Sequence, residues 1–111
     1  MSEPGETRTV VVCPVADLPI GEVATAVDPS VGAIAVFNAD GELFAINDRC
    51  THEKASLSDG FLEGCTIECP LHASLFDLRT GVPDGPPATV AVATYPVRIE
   101  DGVIVVDLEM R

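Results

Sequence analysis

The sequence has few basic residues, no long hydrophobic run and no region of helical periodicity, and each absence excludes a class of protein. Six Lys and Arg residues stand against eighteen Asp and Glu residues, for a formal net charge of −12 at pH 7. Such a chain is repelled by nucleic acids and by anionic lipid surfaces, so we expect neither as a partner. The charge suits a partner with a basic docking face, although acidic charge also keeps a protein in solution.

No apolar run reaches the length that spans a bilayer, so we expect no membrane insertion. The first residues, MSEPGETRT, contain neither the basic nor the hydrophobic region of a signal peptide. The sequence therefore predicts a cytoplasmic protein. In that compartment we expect the four cysteines to be free thiols or metal ligands rather than disulfides. They are Cys13, Cys50, Cys65 and Cys69.

The absence of helical periodicity over ten or more residues leaves strands as the main elements. Short apolar and β-branched runs alternate with Gly, Pro and Asp turns, which is typical of a small β-sandwich or barrel. Asp40-Gly41 and Asp101-Gly102 each predict a tight hairpin turn. The predicted strands cover residues 7–13, 23–27, 33–37, 43–46, 66–68, 75–78, 95–99 and 103–108. A chain of 111 residues has room for one domain, residues 1–111.

The middle of the chain, about residues 48–87, differs from its flanks. Both histidines and three of the four cysteines lie there, among irregular turn sequences. It ends in PDGPP, residues 83–87, which we expect to be an extended and stiff loop. We interpret this region as a loop-rich insert on a β scaffold, the usual place for function.

Two short boxes in this region carry the chemistry. Each pairs a cysteine with a histidine, and together they use both histidines of the chain. They are Cys50-Thr51-His52 and Cys69-Pro70-Leu71-His72. Two such pairs so close together indicate metal ligation.

Two kinds of centre fit these ligands. A structural zinc site usually takes its cysteines as one spaced pair and its histidines as another, whereas each box here is mixed. Mixed boxes favour a two-iron centre, in which a short cysteine reaches an inner iron and a longer imidazole reaches an outer one. Zinc remains the alternative.

The pattern Cys-x-His, sixteen residues, Cys-x-x-His resembles the Rieske pattern. The stretch CTHEKASLSDGFLEGCTIECPLHASLFDLRTG is similar to the Rieske ferredoxins of bacterial aromatic-ring dioxygenase systems, such as those acting on biphenyl, toluene, naphthalene or carbazole. The likeness extends from Val12 to Leu108. It implies an all-β Rieske fold of three antiparallel sheets, with a loop-rich cluster-binding subdomain at one tip.

The resemblance also implies the site. One 2Fe–2S cluster would be held by Cys50 and Cys69 on the inner iron and by His52 and His72 on the outer iron. A ferredoxin reductase and a terminal oxygenase would dock near His52 and His72, with residues around Glu53, Lys54 and Pro86 at the rim. The proline loop at residues 83–87 would cover the cluster.

The sequence departs from Rieske proteins of cytochrome bc complexes at informative positions. Ala55 and Leu71 stand where those proteins have a disulfide, and Phe76 replaces a tyrosine that bonds a ligand sulfur. Ala73 replaces the common glycine after the second histidine. Ser74 occupies a position where bc-type proteins have Ser and many dioxygenase ferredoxins have Gly.

The remaining cysteines are not expected to be ligands. An extended chain covers about 13 Å over four residues, so Cys65 and Cys69 are too far apart to bind one iron. We expect Cys65 and Cys13 to be small buried apolar residues.

The sequence predicts a one-electron carrier and not an enzyme, because no nucleophile or general base is apparent. Two thiolates and two neutral imidazoles leave an oxidised cluster uncharged, which raises its potential above that of a four-cysteine ferredoxin. The alternatives are a Rieske-like small subunit of another oxidoreductase, such as nitrite reductase, and a zinc-bound interaction module. The sequence of this component does not identify the aromatic substrate of the system.

Overall fold

The computed structural model describes residues 6–51, 55–71, 74–84 and 88–110. Across these residues the regular elements are ten strands and two single-turn 3₁₀ helices, Val15–Asp17 and Leu57–Asp59. The strands are β1 (Glu6–Pro14), β2 (Val23–Asp28), β3 (Gly32–Ala39), β4 (Glu42–Asn47), β5 (Phe61–Glu63), β6 (Thr66–Glu68), β7 (Leu75–Asp77), β8 (Thr94–Tyr95), β9 (Val97–Glu100) and β10 (Val103–Met110). None of the described residues forms a helix with the length and apolar character to span a bilayer.

The strands form three antiparallel sheets, with orders β1-β10-β9, β2-β3-β4-β8 and β5-β6-β7. The predicted all-β fold with three antiparallel sheets is therefore confirmed. Both predicted hairpins are present, β3-β4 at Asp40-Gly41 and β9-β10 at Asp101-Gly102. The two residues of each turn have positive φ, 55° and 96° in the first and 52° and 76° in the second. Asp-Gly suits this geometry because Gly carries no Cβ and Asp tolerates the left-handed region.

One predicted strand was wrong, and one strand was not predicted. Residues 95–99 do not form one strand, since Tyr95 pairs with β4 while Val97 begins the strand that pairs with β10. Pro96 lies between them and has no N–H to donate, so the chain leaves one sheet and enters another there. Strand β5 was not predicted, because a three-residue run between Gly60 and Gly64 is too short to show a period.

The middle sheet β2-β3-β4-β8 joins two apolar cores. Alternate residues of β3 point to opposite faces, and both faces are buried, with Ile34 and Val36 in one core and Ala35 and Phe37 in the other. The first core lies toward β1-β10-β9 and also contains Leu18, Ala45, Ile104, Val106 and Leu108. The second lies toward β5-β6-β7 and also contains Ala39, Ile46, Cys50, Leu57, Ile67, Cys69, Phe76, Leu78, Ala88 and Val92. The predicted ligand loops therefore pack on one face of the middle sheet, and the other face of that sheet is buried against β1-β10-β9.

Candidate metal centre

Two of the four predicted ligands, Cys50 and Cys69, are buried in the same apolar core. Cys50 follows β4, the second strand of a well-paired hairpin, and Cys69 comes directly after β6, the central strand of the third sheet. Two separate loops therefore deliver the two thiols to one region. His52 and His72 lie outside the described residues.

The first loop is closed by the backbone of the residues around Cys50. The N–H of Cys50 donates to the carbonyl of Ala55 at 2.9 Å, and the N–H of Leu57 donates to the carbonyl of Asp48 at 2.6 Å. Leu57 is fully buried beneath the loop. The backbone path on both sides of Cys50 is therefore fixed by hydrogen bonds and by packing.

A buried carboxylate, Asp48, joins this loop to the scaffold. Its Oδ1 accepts the N–H of Ser58 at 2.7 Å, and its Oδ2 accepts the hydroxyl of Ser58 at 3.0 Å. Its own N–H donates to the carbonyl of Ala33 on β3 at 2.9 Å. The sequence analysis did not find this residue, and no local signal separates it from the other seventeen acidic residues.

The second loop is closed in a similar way. The N–H of Cys69 donates to the carbonyl of Ser74 at 2.7 Å. On the far side of β7, the N–H of Asp84 donates to the carbonyl of Leu75 at 2.7 Å, and Phe76 forms a β-bridge with Pro83. The first two residues of the proline segment thus lie against β7, while residues 85–87 fall outside the described range.

A third segment, residues 88–92, lies against the first box. The hydroxyl of Thr51 donates to the carbonyl of Val90 at 2.6 Å. Ala88 and Val92 are buried in the core that holds the cysteines, and the N–H of Val92 donates to the carbonyl of Gly81 at 2.9 Å. The sequence contained no signal for this contact, because Thr51 and Val90 are far apart in the chain.

The hydroxyl of Ser74 tests whether the site fits an iron–sulfur group. The residue is 1% exposed, and its Oγ has no hydrogen-bond partner among the described residues. A buried donor without an acceptor is rare in native proteins and calls for a missing ion or water. A cluster sulfur would supply that acceptor. Two buried thiols and one unpartnered donor on the same loops therefore fit an iron–sulfur cluster.

The other two cysteines are placed differently. Cys65 is half-buried against the core that contains Cys50 and Cys69, and Cys13 is half-buried against the other core. Partial burial and, to a lesser extent, the nearby Asp17 carboxylate raise the pKa of the Cys13 thiol. A protonated thiol is a poor metal ligand. Both were expected to be buried, and each is instead partly exposed.

Short loops that hold two buried cysteines in one core, on a small scaffold of three antiparallel sheets, fit an iron–sulfur protein. Residues 8–96 match the Rieske [2Fe-2S] domain family, and the chain belongs to that family.

Similar proteins include the 3-phenylpropionate/cinnamic acid dioxygenase ferredoxin subunit of Escherichia coli (strain K12). It is 55% identical over 97 residues, which cover 86% of this chain and 90% of the relative. The ferredoxin of Sphingomonas yanoikuyae B1 is 40% identical, with a TM-score of 0.84. The match covers 91% of this chain and 99% of the Sphingomonas chain. A chain in the solved complex of reduced oxygenase and oxidized ferredoxin in carbazole 1,9a-dioxygenase is 34% identical, with a TM-score of 0.84 and coverage of 88% and 91%.

These findings confirm three predictions made from the sequence. The chain carries one Rieske-type 2Fe–2S cluster, and it is a ferredoxin that carries single electrons. It is an electron-transfer component and not itself a catalyst. The identity of 55% to a dioxygenase ferredoxin subunit also favours this function over a nitrite reductase subunit or a zinc module.

Proposed function

We propose that this ferredoxin passes electrons from a ferredoxin reductase to the terminal oxygenase of an aromatic-ring dioxygenase system. The observation that carries the proposal is the burial of Cys50 and Cys69 together, on loops whose neighbours Thr51 and Leu71 are exposed. A redox group bound there is shielded on the inner side and lies one or two residues from the surface. That arrangement suits electron transfer between proteins.

The proposed ligands are Cys50 and Cys69 on the inner iron and His52 and His72 on the outer iron. When bound, the cluster accepts and returns one electron. The chain itself holds the two thiols at fixed positions, through the loop closures at Cys50 and Cys69, and keeps water from them. Two thiolates and two neutral imidazoles would leave the oxidised centre uncharged, which eases reduction.

Partners are proposed to dock near His52 and His72, because the cysteine side of the centre is covered by the core. The proposed arrangement is one domain, residues 1–111, with its cluster-binding part at about residues 48–87. A cytoplasmic location is proposed because none of the four cysteines forms a disulfide within the described part of the chain.

The test is electron transfer by the purified, anaerobically reconstituted protein. We expect a red-brown protein with a Rieske EPR signal on reduction. We expect it to restore product formation when it replaces the ferredoxin subunit in the E. coli 3-phenylpropionate/cinnamic acid dioxygenase. A colourless zinc protein would contradict the cluster. A loaded protein that is reduced but gives no electrons to any dioxygenase would contradict the partner assignment.

A further inference from the structure

We propose that Asp48 lowers the midpoint potential of the cluster by holding a fixed negative charge beside the first ligand loop. The inference rests on the proposed function, because it takes Cys50 as a ligand of the inner iron. It assigns a second role to the buried carboxylate that already joins this loop to the scaffold. A lower potential would make the reduced protein a stronger electron donor.

The carboxylate of Asp48 is buried and both of its oxygens accept hydrogen bonds. Only 5% of the residue's surface is accessible. Oδ1 accepts the N–H of Ser58 and Oδ2 accepts the hydroxyl of the same residue. An ionised carboxylate only accepts hydrogen bonds, so two donors suit its charged form. The side chain is therefore held at one place with its charge satisfied by neutral donors.

No basic side chain pairs with Asp48 in the part of the chain that the structure describes. The ion pairs found there belong to Arg8 and Arg98. Arg49 borders the same groove as Asp48 but is exposed, so water and salt screen its guanidinium. Lys54 lies outside the described residues, and its charge is the same in every variant compared below. The charge of Asp48 is therefore not cancelled by a bonded cation among the described residues.

The backbone of Asp48 fixes its place relative to the first ligand. Its N–H donates to the carbonyl of Ala33 at 2.9 Å, and its carbonyl accepts the N–H of Leu57 at 2.6 Å. The Cα atoms of residues two positions apart lie within about 7 Å of each other, so Asp48 lies close to Cys50. Cys50 is buried in the core that also contains Leu57. Charges interact more strongly through such an interior than through water.

The sign of the effect follows from the charge of the electron. Reduction adds one electron to the centre and neither makes nor breaks a bond to this chain. The oxidised centre would be uncharged and the reduced one would carry one negative charge, so a neighbouring anion opposes reduction. Two unit charges about 10 Å apart change an equilibrium by about tenfold at an effective dielectric constant near 20. Solvent around the loop reduces this, and we expect about three- to tenfold.

The experiment measures the midpoint potential of loaded Asp48→Asn by protein-film voltammetry at pH 7. Asparagine keeps the shape of the side chain, and its Oδ1 can still accept the N–H of Ser58. At a fixed electrode potential, the ratio of reduced to oxidised protein should rise about three- to tenfold over the unchanged protein, and tenfold corresponds to 59 mV for one electron. Unchanged EPR g values would show that the ligand geometry is kept. Asp48→Ser replaces the asparagine variant if that variant does not hold its cluster, since a hydroxyl also accepts hydrogen bonds.

Two matched controls separate the charge of Asp48 from the structure of the loop. Ser58→Ala removes one hydrogen bond to the carboxylate and keeps the charge. Asp59→Asn removes the same charge from an exposed position on the same loop. In both controls the ratio of reduced to oxidised protein should stay within about twofold of the unchanged protein, because solvent screens an exposed charge.

The outcomes distinguish this inference from the proposed function. A midpoint potential that does not rise in Asp48→Asn would overturn the inference, as would an equal rise in either control. Loss of the cluster from both neutral variants of Asp48 would also overturn it, because the residue would then act on cluster retention and not on the potential. If the unchanged protein gives no Rieske EPR signal on reduction, the proposed function fails instead.

Discussion

At the residue scale, the hydroxyl of Ser74 is buried and has no hydrogen-bond partner among the described residues. A bound cluster would supply one. An unpartnered buried donor costs about 1–3 kcal/mol. A hydrogen bond from Ser74 to a cluster sulfur would remove that cost and would be stronger in the reduced state, which has one more negative charge. Ser74 should therefore stabilise the reduced form.

The corresponding prediction is that Ser74→Gly lowers the midpoint potential. A hydrogen bond to a charged group contributes about 1.5–3 kcal/mol. A third to a half of it should differ between the redox states, which corresponds to roughly 20–60 mV for one electron. Protein-film voltammetry measures the shift. Ser56→Ala, an exposed serine in the first loop, is the control. An unchanged midpoint in the Ser74 variant would contradict the hydrogen bond and leave the ligand set untouched.

The ligand set gives a second residue-scale prediction. Cys50→Ser, Cys69→Ser, His52→Ala and His72→Ala should each give protein without the Rieske absorption and EPR signals. Cys65→Ala and Cys13→Ala should keep both signals, since neither thiol is fully buried with the other two. Iron and sulfide analysis provides an independent count. Loss of the cluster in the Cys65 variant, with retention in any of the first four, would show that the ligands are misassigned.

Among individual residues, the sequence predicted those that belong to a motif. It did not predict those whose role depends on contacts with residues distant in the chain. Cys50 and Cys69 were predicted as ligands because ligands recur at fixed spacing, and the structure buries both. Asp48 was missed because its role depends on Ser58 and on β3, which the fold brings to it. The Thr51–Val90 contact was missed for the same reason.

Among the elements, the turn between β2 and β3 depends on one carboxylate. Asp28 accepts the hydroxyl and the N–H of Ser30, and it pairs with Arg8 on β1, so it joins two sheets. These interactions, the Ser30 hydroxyl above all, lower the pKa of Asp28. The stabilisation is therefore present above the unfolded-state pKa of about 3.9 and is lost as the pH falls through the lower folded-state value.

We accordingly expect Asp28→Asn to lower the melting temperature at pH 7. The difference from the unchanged protein should shrink as the pH is lowered below about 4, where the carboxylate of the unfolded state begins to be protonated while the native one is still charged, and it should vanish below the lower folded-state pKa. Thermal unfolding followed by circular dichroism over this range measures it. Asp40→Asn, in an exposed hairpin turn, should show no such trend. A difference that stays constant at every pH would contradict the role of the charged form.

A glycine in the turn after β7 allows the backbones of two loops to meet. Gly81 has φ +77°, and a Cβ there would lie 2.1 Å from the carbonyl oxygen of Val92. Gly102 has nearly the same φ, +76°, but a Cβ there would meet nothing within 4 Å. The pair therefore separates backbone strain from steric overlap.

The prediction is that Gly102→Ala costs about 1 kcal/mol of unfolding free energy, the usual cost of a left-handed alanine. Gly81→Ala should cost clearly more, because it must also break the hydrogen bond from Val92 to Gly81. Urea denaturation of both variants gives the two values. The Gly81 variant should also lose cluster faster, since Val92 anchors the segment beside Cys50. Equal destabilisation by the two substitutions would show that the overlap relaxes at no cost.

The elements themselves were largely predictable from hairpin chemistry. Asp40-Gly41 and Asp101-Gly102 specify their turns, and the paired runs on each side set the register. Strand β5 was not predictable from its three residues, since it exists only because β6 pairs with it. The proline at position 96 was evident in the sequence, but the change from one sheet to another at that position was not. That change depends on how the two cores pack.

At the scale of the whole molecule, the strong negative charge should act on the approach of a partner. The net charge of −12 acts over the screening length of about 10 Å at 0.1 M salt, whereas apolar contacts act only at the surface. The charge should therefore set how often a partner arrives, and short-range contacts at the docking face should set how long it stays. Acidic side chains near the third sheet, β5-β6-β7, are the ones placed to steer that approach.

Three carboxylates, two on the third sheet and one in the segment that follows β7, test this division. Glu63, Glu68 and Asp84 border a groove of about 300 Å³ beside exposed Phe61. The double variant Glu63→Gln/Asp84→Asn should slow association with the oxygenase several-fold at low salt and leave the dissociation rate unchanged, because steering acts before contact. Raising the salt beyond 0.1 M should slow association of the unchanged protein and remove most of the difference.

The matched control for this variant removes the same charge from the β3-β4 turn. Asp40→Asn/Glu42→Gln changes the net charge equally but lies on the middle sheet. Stopped-flow electron transfer to the oxygenase, at several salt concentrations, gives both rates. We expect a smaller effect than that of the third-sheet variant, since steering depends on where the charge lies relative to the docking face. Equal slowing by both double variants would mean that only total charge matters. A rate independent of salt would mean that apolar contact alone governs association.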